Sequence, residues 1–415
     1  MNLARQLEQY LPHQLLQAVN TIAEQATKRG QRAYLVGGVV RDLLLGYPNF
    51  DLDLVVEGDA VELAQSMAQA SHAKFTTHHR FGTAKLRFPN FTLDIATARR
   101  ETYARPGALP TVSPGTLQDD LFRRDFTINA MAICLAKDDY GELVDPYGGK
   151  NDLEHRLIRV LHPESFRDDA TRILRGACYE QRFGFRFEVE TARLLERDIP
   201  MLDTISGDRI RHELEHIFEE KRPEIVIERL DDLGALSRIN PRLKGNGWLA
   251  DQFKKARRLK KPAQLPSLYF CLLIYPLNQE DIELLLARLN TPARLSRAMR
   301  DTLRLKTNLH LLDKSSLKPS KIYNLLREYE PLAIQANALA TESAKAQQNL
   351  QLFLDKLRYV HTALDGEELK KLGIRPGPEM GKILQILHRA KLDGEVRTKA
   401  EERDLALSLA LKLER

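Results

Sequence analysis

Asp51 and Asp53 stand two apart in LVGGVVRDLLLGYPNFDLDLVV (35–56). On an extended strand that spacing sends both carboxylates to one face, with Leu52 and Leu54 turned to the other. Adjacent carboxylates repel unless a cation neutralises them, and an all-oxygen donor set suits Mg²⁺. Gly37 and Gly38 lie upstream, where a glycine turn into a helix lets backbone N–H groups approach a phosphate. Arg41 falls one turn into that helix, within reach of the same phosphates. Nucleotidyl transfer needs a gripped triphosphate and Mg²⁺ bridging its oxygens to an attacking hydroxyl. A third carboxylate, Asp94, sits in FTLDIA (91–96), on the strand face opposite Phe91, Leu93 and Ile95. A lone GG or DxD is common by chance. The order strand, GG, helix, strand is what favours the functional reading.

The elements that must position these groups are legible around them. AYLVGG (33–38) reads as a buried strand, VVRDLLLG (39–46) as a short helix closed by Gly46, and FDLDLVVEG (50–58) as an alternating strand. Residues 60–71 are helical in pattern, and 82–88 with 91–98 read as a hairpin around Pro89-Asn90. The proline and glycine content of 96–121 reads as a mobile loop. From Asp152 onward Leu, Ala, Arg and Glu dominate at spacings of three and four. This part is expected to be all-α, with breaks near 215, 250–265, 312–320 and 365–380.

The chain's 415 residues suit two to four modules. With 43% hydrophobic and 29% charged residues the composition is that of a soluble globular protein. Cys134, Cys178 and Cys271 are far apart and form no CxxC pair, which points to a reduced, cytoplasmic chain. The first residues form an amphipathic helix pattern rather than a signal peptide, and no stretch approaches the ~18 apolar residues of a membrane span. A net charge of +6 permits a polyanionic partner without requiring one. Basic residues concentrate in KKARRLKK (254–261), with Lys254, Lys255, Arg257 and Arg258, and at Arg294, Arg297, Arg300 and Arg304 on one helix face. Such faces are more often merely solvated, and phosphate tracking is the functional alternative.

The GG and DxD segments resemble the nucleotidyltransferase superfamily that includes DNA polymerase β, and more closely the bacterial class II tRNA CCA-adding enzymes. RRDFTINAMA (123–132), DPYGGKNDL (145–153), SFRDDATRILR (165–175) and GDRIRHEL (207–214) extend the match, and 361–384 resembles the family's tail. The resemblance implies an α+β chain. Its polymerase β-like head (1–140) carries a small mixed sheet, followed by an all-α neck (141–220), body (221–315) and tail (316–415). It implies two Mg²⁺ ions on Asp51 and Asp53, to which the strand-face reading adds Asp94, with CTP and ATP as donors and tRNA held by its acceptor and TΨC arms. Arg123, Arg124, Asp125 and Asn129 would contact ribose and triphosphate. Asp169 and Arg172 would read the base, with Asp168 and Arg175 in the same motif. The family usually has Glu where this chain has Asp168, which shortens one carboxylate.

Asp169 and Arg172, three apart, are expected as neighbours on one helix face. Cytosine and adenine both offer an amino group beside a ring acceptor; guanine and uracil reverse that order and would leave buried polar groups unpaired. Arg99, Arg100 and Glu101 resemble the charged lever that helps switch the site from C to A. Relatives adding only CC tend to lack the loop that bears it, but some adding only the final A carry a similar one. The alternatives are therefore an A-only enzyme, a poly(A) polymerase, or a degenerate RNA-binding module. The INAMA continuation and the lack of a long basic C-terminal tail weigh against the polymerase. The paired aspartates weigh against degeneracy.

Overall fold

A computed structural model describes residues 1–71, 73–259, 264–314 and 316–413. They fall into two compact units, Met1–Glu220 with Arg229–Ile239, and Lys221–Glu228 with Asn240–Arg415.

The first unit is built on a mixed sheet of seven strands in the order β3-β4-β5-β2-β1-β8-β9. The strands are β1 (Arg32–Val36), β2 (Leu52–Glu57), β3 (Lys74–His78), β4 (Thr83–Arg87), β5 (Thr92–Thr97), β8 (Ala132–Cys134) and β9 (Leu143–Val144). Between β5 and β8 lie β6 (Arg99–Thr102) and β7 (Thr111–Pro114), which pair with each other. Helices α1 (Ala4–Tyr10), α2 (His13–Lys28), α3 (Gly38–Leu45), α4 (Ala60–Ser71), α5 (Leu117–Phe122) and α6 (Gly149–Glu154) surround the sheet. Leu35, Leu52, Leu54, Leu93 and Ile95 are buried, as strand alternation requires. α2 packs on β1, and α4 packs on β4 and β5. β2 runs antiparallel to β1 and parallel to β5, with Asp53 opposite Asp94.

Local chemistry sets the ends of these elements. α3 stops at Gly46, whose left-handed backbone (φ 74°) returns its N–H to the last-turn carbonyls. α5 starts in a reciprocal cap between Thr116 and Asp119. The 96–121 segment, expected as a mobile loop, is therefore an antiparallel ribbon followed by a capped helix, with Arg99 opposite Pro114 and Thr102 opposite Thr111. Ladder hydrogen bonds organise a stretch whose proline and glycine content hides its strands.

The remainder of the unit is helical: α7 (Ser165–Asp168), α8 (Thr171–Phe183), α9 (Val189–Asp198) and α10 (Gly207–Phe218). It also contains a short parallel pair, β10 (Leu157–Ile158) with β11 (Arg186–Phe187). The remainder is helical as expected beyond Asp152, apart from that pair, which is too short for periodicity to reveal.

The second unit is helical throughout its described residues. One core gathers Leu305, Ile322, Ile334, Leu350 and Phe353. Another gathers Leu369, Ile383, Leu387 and Ala406. Among the described residues no helix is long and apolar enough to cross a membrane. All three cysteines are free and buried.

Candidate active site

A polar cleft of about 650 Å³ opens in the first unit. Its lining draws Gly37, Gly38 and Arg41 from the β1–α3 turn and helix, Asp51 and Asp53 from the start of β2, and Arg99 and Glu101 from the ribbon. Arg123, Arg124, Asp125 and Asn129 come from the segment after α5, and Asp169, Arg172 and Arg175 from the α7–α8 region. Residues separated by more than a hundred positions thus share one wall. Asp94, Arg100 and Asp168 are not part of the lining.

Gly37 is required twice over. Its φ is +76°, and a Cβ there would stand 2.7 Å from Arg124 Nη1. Gly38 is less constrained, since its nearest contact would be an ordinary 3.5 Å. Its place is the first residue of α3, where helix N–H groups are unpaired.

Asp53 lies on β2 and Asp51 just ahead of it. Burial pushes the Asp53 carboxyl upward; Arg124 opposes this, Asp51 and Asp94 reinforce it, and Lys85 opposes it. Carboxylates in mutual repulsion suit a divalent cation. Among the described residues, however, no three His, Cys, Asp or Glu side chains converge as an ion cage. Asp94 instead pairs with Lys85 at 3.0 Å. The donor set fits Mg²⁺ bound by one or two carboxylates and completed by substrate oxygens and water, the usual habit of that ion.

The basic wall is held by acids. Fully buried Asp120 accepts from Arg123 at 2.7 Å and from Arg124 at 3.0 Å. Burial works against its charge, but the two guanidiniums bring its pKa below the usual range. Glu101 accepts from Arg99 (2.8 Å), Arg123 (3.2 Å) and the Tyr103 hydroxyl (2.7 Å). Arg100 faces away and pairs with Asp119.

Arg41 lines the cleft and is held by neighbouring polar groups. It donates to Asn129 Oδ1 (2.6 Å) and Asp42 (2.8 Å), and its guanidinium lies 4.6 Å over Phe183. Asn129 in turn donates to Asp125 at 3.0 Å, and Asp125 pairs with Arg175 at 3.0 Å. Arg41, Asn129 and Asp125 thus form a buried brace whose polar groups are largely consumed within it.

Asp169 and Arg172 do not share a helix face. Asp169 sits in extended backbone after α7, accepts from Thr171 N–H (2.9 Å), and pairs with Arg209 of α10 at 2.7 Å. Despite burial, Arg209 and Arg175 hold its pKa down. Arg172 donates to Ser165 Oγ (2.5 Å) and to the Arg123 carbonyl (2.7 Å). Among the described residues Arg124, Arg172 and Arg175 each keep a buried Nε–H without a partner, and such donors call for an acceptor. Asp168 lies by His162, 3.7 Å away.

Asn49, Tyr103, Tyr179, Arg182 and Arg209 also line the cleft, and Asp120 anchors its basic wall. Reading by motif missed these. Only Asp120 left a local trace, three and four residues before the two arginines on α5 and its end.

In the second unit Arg257 is committed to buried Glu224 by two 2.7 Å hydrogen bonds. Lys254 pairs with Asp251, and Arg258 is exposed. Arg297, Arg300 and Arg304 lie opposite Glu330, Glu283 and Asp301, whereas Arg294 is exposed. Lys260 and Lys261, the end of the basic run, lie outside the described residues.

A mixed sheet presenting a glycine turn, a paired-aspartate strand and an arginine wall to one cleft defines a nucleotidyltransferase head. Family models agree: "Poly A polymerase head domain" matches 33–159, "Probable RNA and SrmB- binding site of polymerase A" 184–245, and "tRNA nucleotidyltransferase domain 2 putative" 266–402. The chain belongs to the tRNA nucleotidyltransferase family. It is 34% identical, over 96% of its length and 94% of the relative's, to an A-adding tRNA nucleotidyltransferase of Halalkalibacterium halodurans. An A-adding tRNA nucleotidyltransferase of Geobacter sulfurreducens is 33% identical over 97% of this chain, which spans only 48% of that protein. Among solved structures, the apo form II of a CCA-adding enzyme superposes with a TM-score of 0.81 at 31% identity, covering 98% of this chain and 99% of that one. The Thermotoga maritima CCA-adding enzyme complexed with tRNA gives 0.75 at 30% identity, covering 98% of each.

Proposed function

We propose that this protein adds nucleotides to the 3′ end of tRNA without a nucleic-acid template, completing CCA from CTP and ATP. The reading is carried by the single cleft in which Gly37, Asp51, Asp53, Arg124, Asp169 and Arg172 meet. Asp51 and Asp53 would hold Mg²⁺, two ions on this reading, which would supply charge neutralisation for the triphosphate and activation of the primer hydroxyl. The α3 N-terminus and Arg124 receive the phosphates. Asp169, ionised beside Arg209, accepts from the exocyclic amino group of cytosine or adenine. Arg172, which lines the cleft, donates to the neighbouring ring acceptor. Guanine and uracil would leave both groups mismatched. Residues 1–140 then act as head, 141–220 as neck, and 221–315 and 316–415 as body and tail that hold tRNA, in the cytoplasm.

A second reading, addition of the terminal A alone, is favoured by the A-adding activity named for the two relatives. Both are tested by incorporation of labelled CTP and ATP on tRNA transcripts ending before CCA, after C and after CC. Extension of all three to CCA supports the first reading. Extension of only the CC-ended transcript, by one A, supports the second. No extension of any overturns both.

A further inference from the structure

A second concavity, of about 560 Å³, opens in the second unit, away from any residue used above. Lys244, Trp248, Tyr275, Lys306, Thr341 and Glu342 are part of its lining. Trp248 is the chain's single tryptophan, and it is 37% exposed. Its indole stacks on Tyr275 with centroids 5.6 Å apart and planes at 27°.

That platform is rigid before any ligand arrives. The Tyr275 hydroxyl donates to Asn337 Oδ1 at 3.2 Å. Fully buried Asn337 donates in turn to the carbonyls of Thr302 and Ala333, each at 2.9 Å. The Lys306 ammonium lies 4.7 Å over the Tyr275 ring and donates to the Tyr275 carbonyl at 2.6 Å. An ammonium has three donors, so two remain. Burial pulls its pKa down, a cost that an incoming anion would offset. Exposed Glu342 is the one carboxylate among the described lining residues.

We infer that this concavity binds a single nucleoside phosphate, its base stacked on Trp248 and its phosphate against Lys306 and Lys244. An exposed indole on a fixed aromatic support accepts any base by its π-face, and lysine is a point-charge partner for phosphate. The same chemistry is offered by a base unstacked from RNA and by a free nucleotide. The inference does not depend on the proposed activity.

The single tryptophan makes the test direct. Indole fluorescence of the full chain is titrated with AMP, CMP, adenosine and a tRNA transcript. Saturable quenching is expected with AMP and CMP, with adenosine weaker for want of a phosphate. Lys306→Met and, as an exposed second variant, Lys244→Met should each weaken AMP binding roughly tenfold, whereas Lys306→Arg should largely restore it. Quenching by tRNA at concentrations below those of free nucleotide identifies RNA as the source. Quenching by mononucleotides alone identifies a free-nucleotide site. Asp53→Ala should leave the quenching intact even where it abolishes incorporation, which separates this inference from the catalytic one. Absence of quenching by every probe, or AMP affinity unchanged from the parent chain in both lysine-to-methionine variants, overturns it.

Discussion

Three side chains carry the sharpest expectations. Asp53 stands in the cleft with Asp51, whereas Asp94 is paired with Lys85. Asp53→Ala should therefore cost at least about 10³-fold in incorporation, while Asp94→Ala should cost far less; equal losses in steady-state assays would restore Asp94 as a ligand. Asp120 touches no substrate on the proposed reading, yet it is fully buried beneath Arg123 and Arg124. Asp120→Asn takes the carboxylate from Arg124 and leaves Arg123 with Glu101 alone, at a cost of about 2–3 kcal/mol, to be read by urea unfolding. His162 is held neutral by burial and then by the Arg172 cation, its pKa lowered to about 4. Its folded pKa is below its unfolded value, so the unfolded chain takes up the proton first. His162 thus removes stability as pH falls from about 6.5 toward about 4. His162→Asn should flatten that part of the stability–pH curve, and an unchanged curve would refute the assignment. Asp51, Asp53 and the arginine pair were visible in the sequence because their spacing is local. The brace of Arg41, Asn129 and Asp125 was not, because Arg41 and Asn129 lie 88 positions apart.

Elements were legible where periodicity ran long enough. The strand containing Asp53, the following helix α4 and the hairpin of β4 and β5 fall close to where alternation put them. The β6–β7 ribbon did not, since four-residue strands among prolines carry almost no periodic signal. Asp169 and Arg172 also misled: a spacing of three implies one helix face only if the helix is continuous, and the chain breaks at Asp169 between α7 and α8. Charge runs are similarly ambiguous until partners are known. The Arg257 guanidinium is bound to buried Glu224, whereas Arg294 is exposed. Arg257→Ala is expected to destabilise the second unit by about 3 kcal/mol. Arg294→Ala should leave stability within about 0.5 kcal/mol and act, if at all, on tRNA affinity. Thermal melts beside filter binding separate the two, and matching melts would show that Arg257 is not structural.

At the scale of the whole chain, the division near residue 220 is interleaved. Residues 221–228 belong to the second unit, and 229–239 return to the first. There Arg229 pairs with buried Glu180 at 2.6 Å, Arg238 pairs with Asp203, and the helix Ala235–Ile239 packs on the turn Ile199–Thr204. A fragment ending at 239 should be soluble and melt cooperatively, whereas one ending at 220 should aggregate or melt lower; equal melting would show the returning segment to be dispensable. Sequence patterning revealed a change of character after the α/β part but not this return, because ownership of a helix is decided by contacts rather than composition. The arrangement also bears on how such genes recombine. A single crossover at codon 220 would pair Glu180 of one parent with a foreign residue at 229. Chimaeras that exchange the two halves should survive preferentially when the breakpoint lies after codon 239.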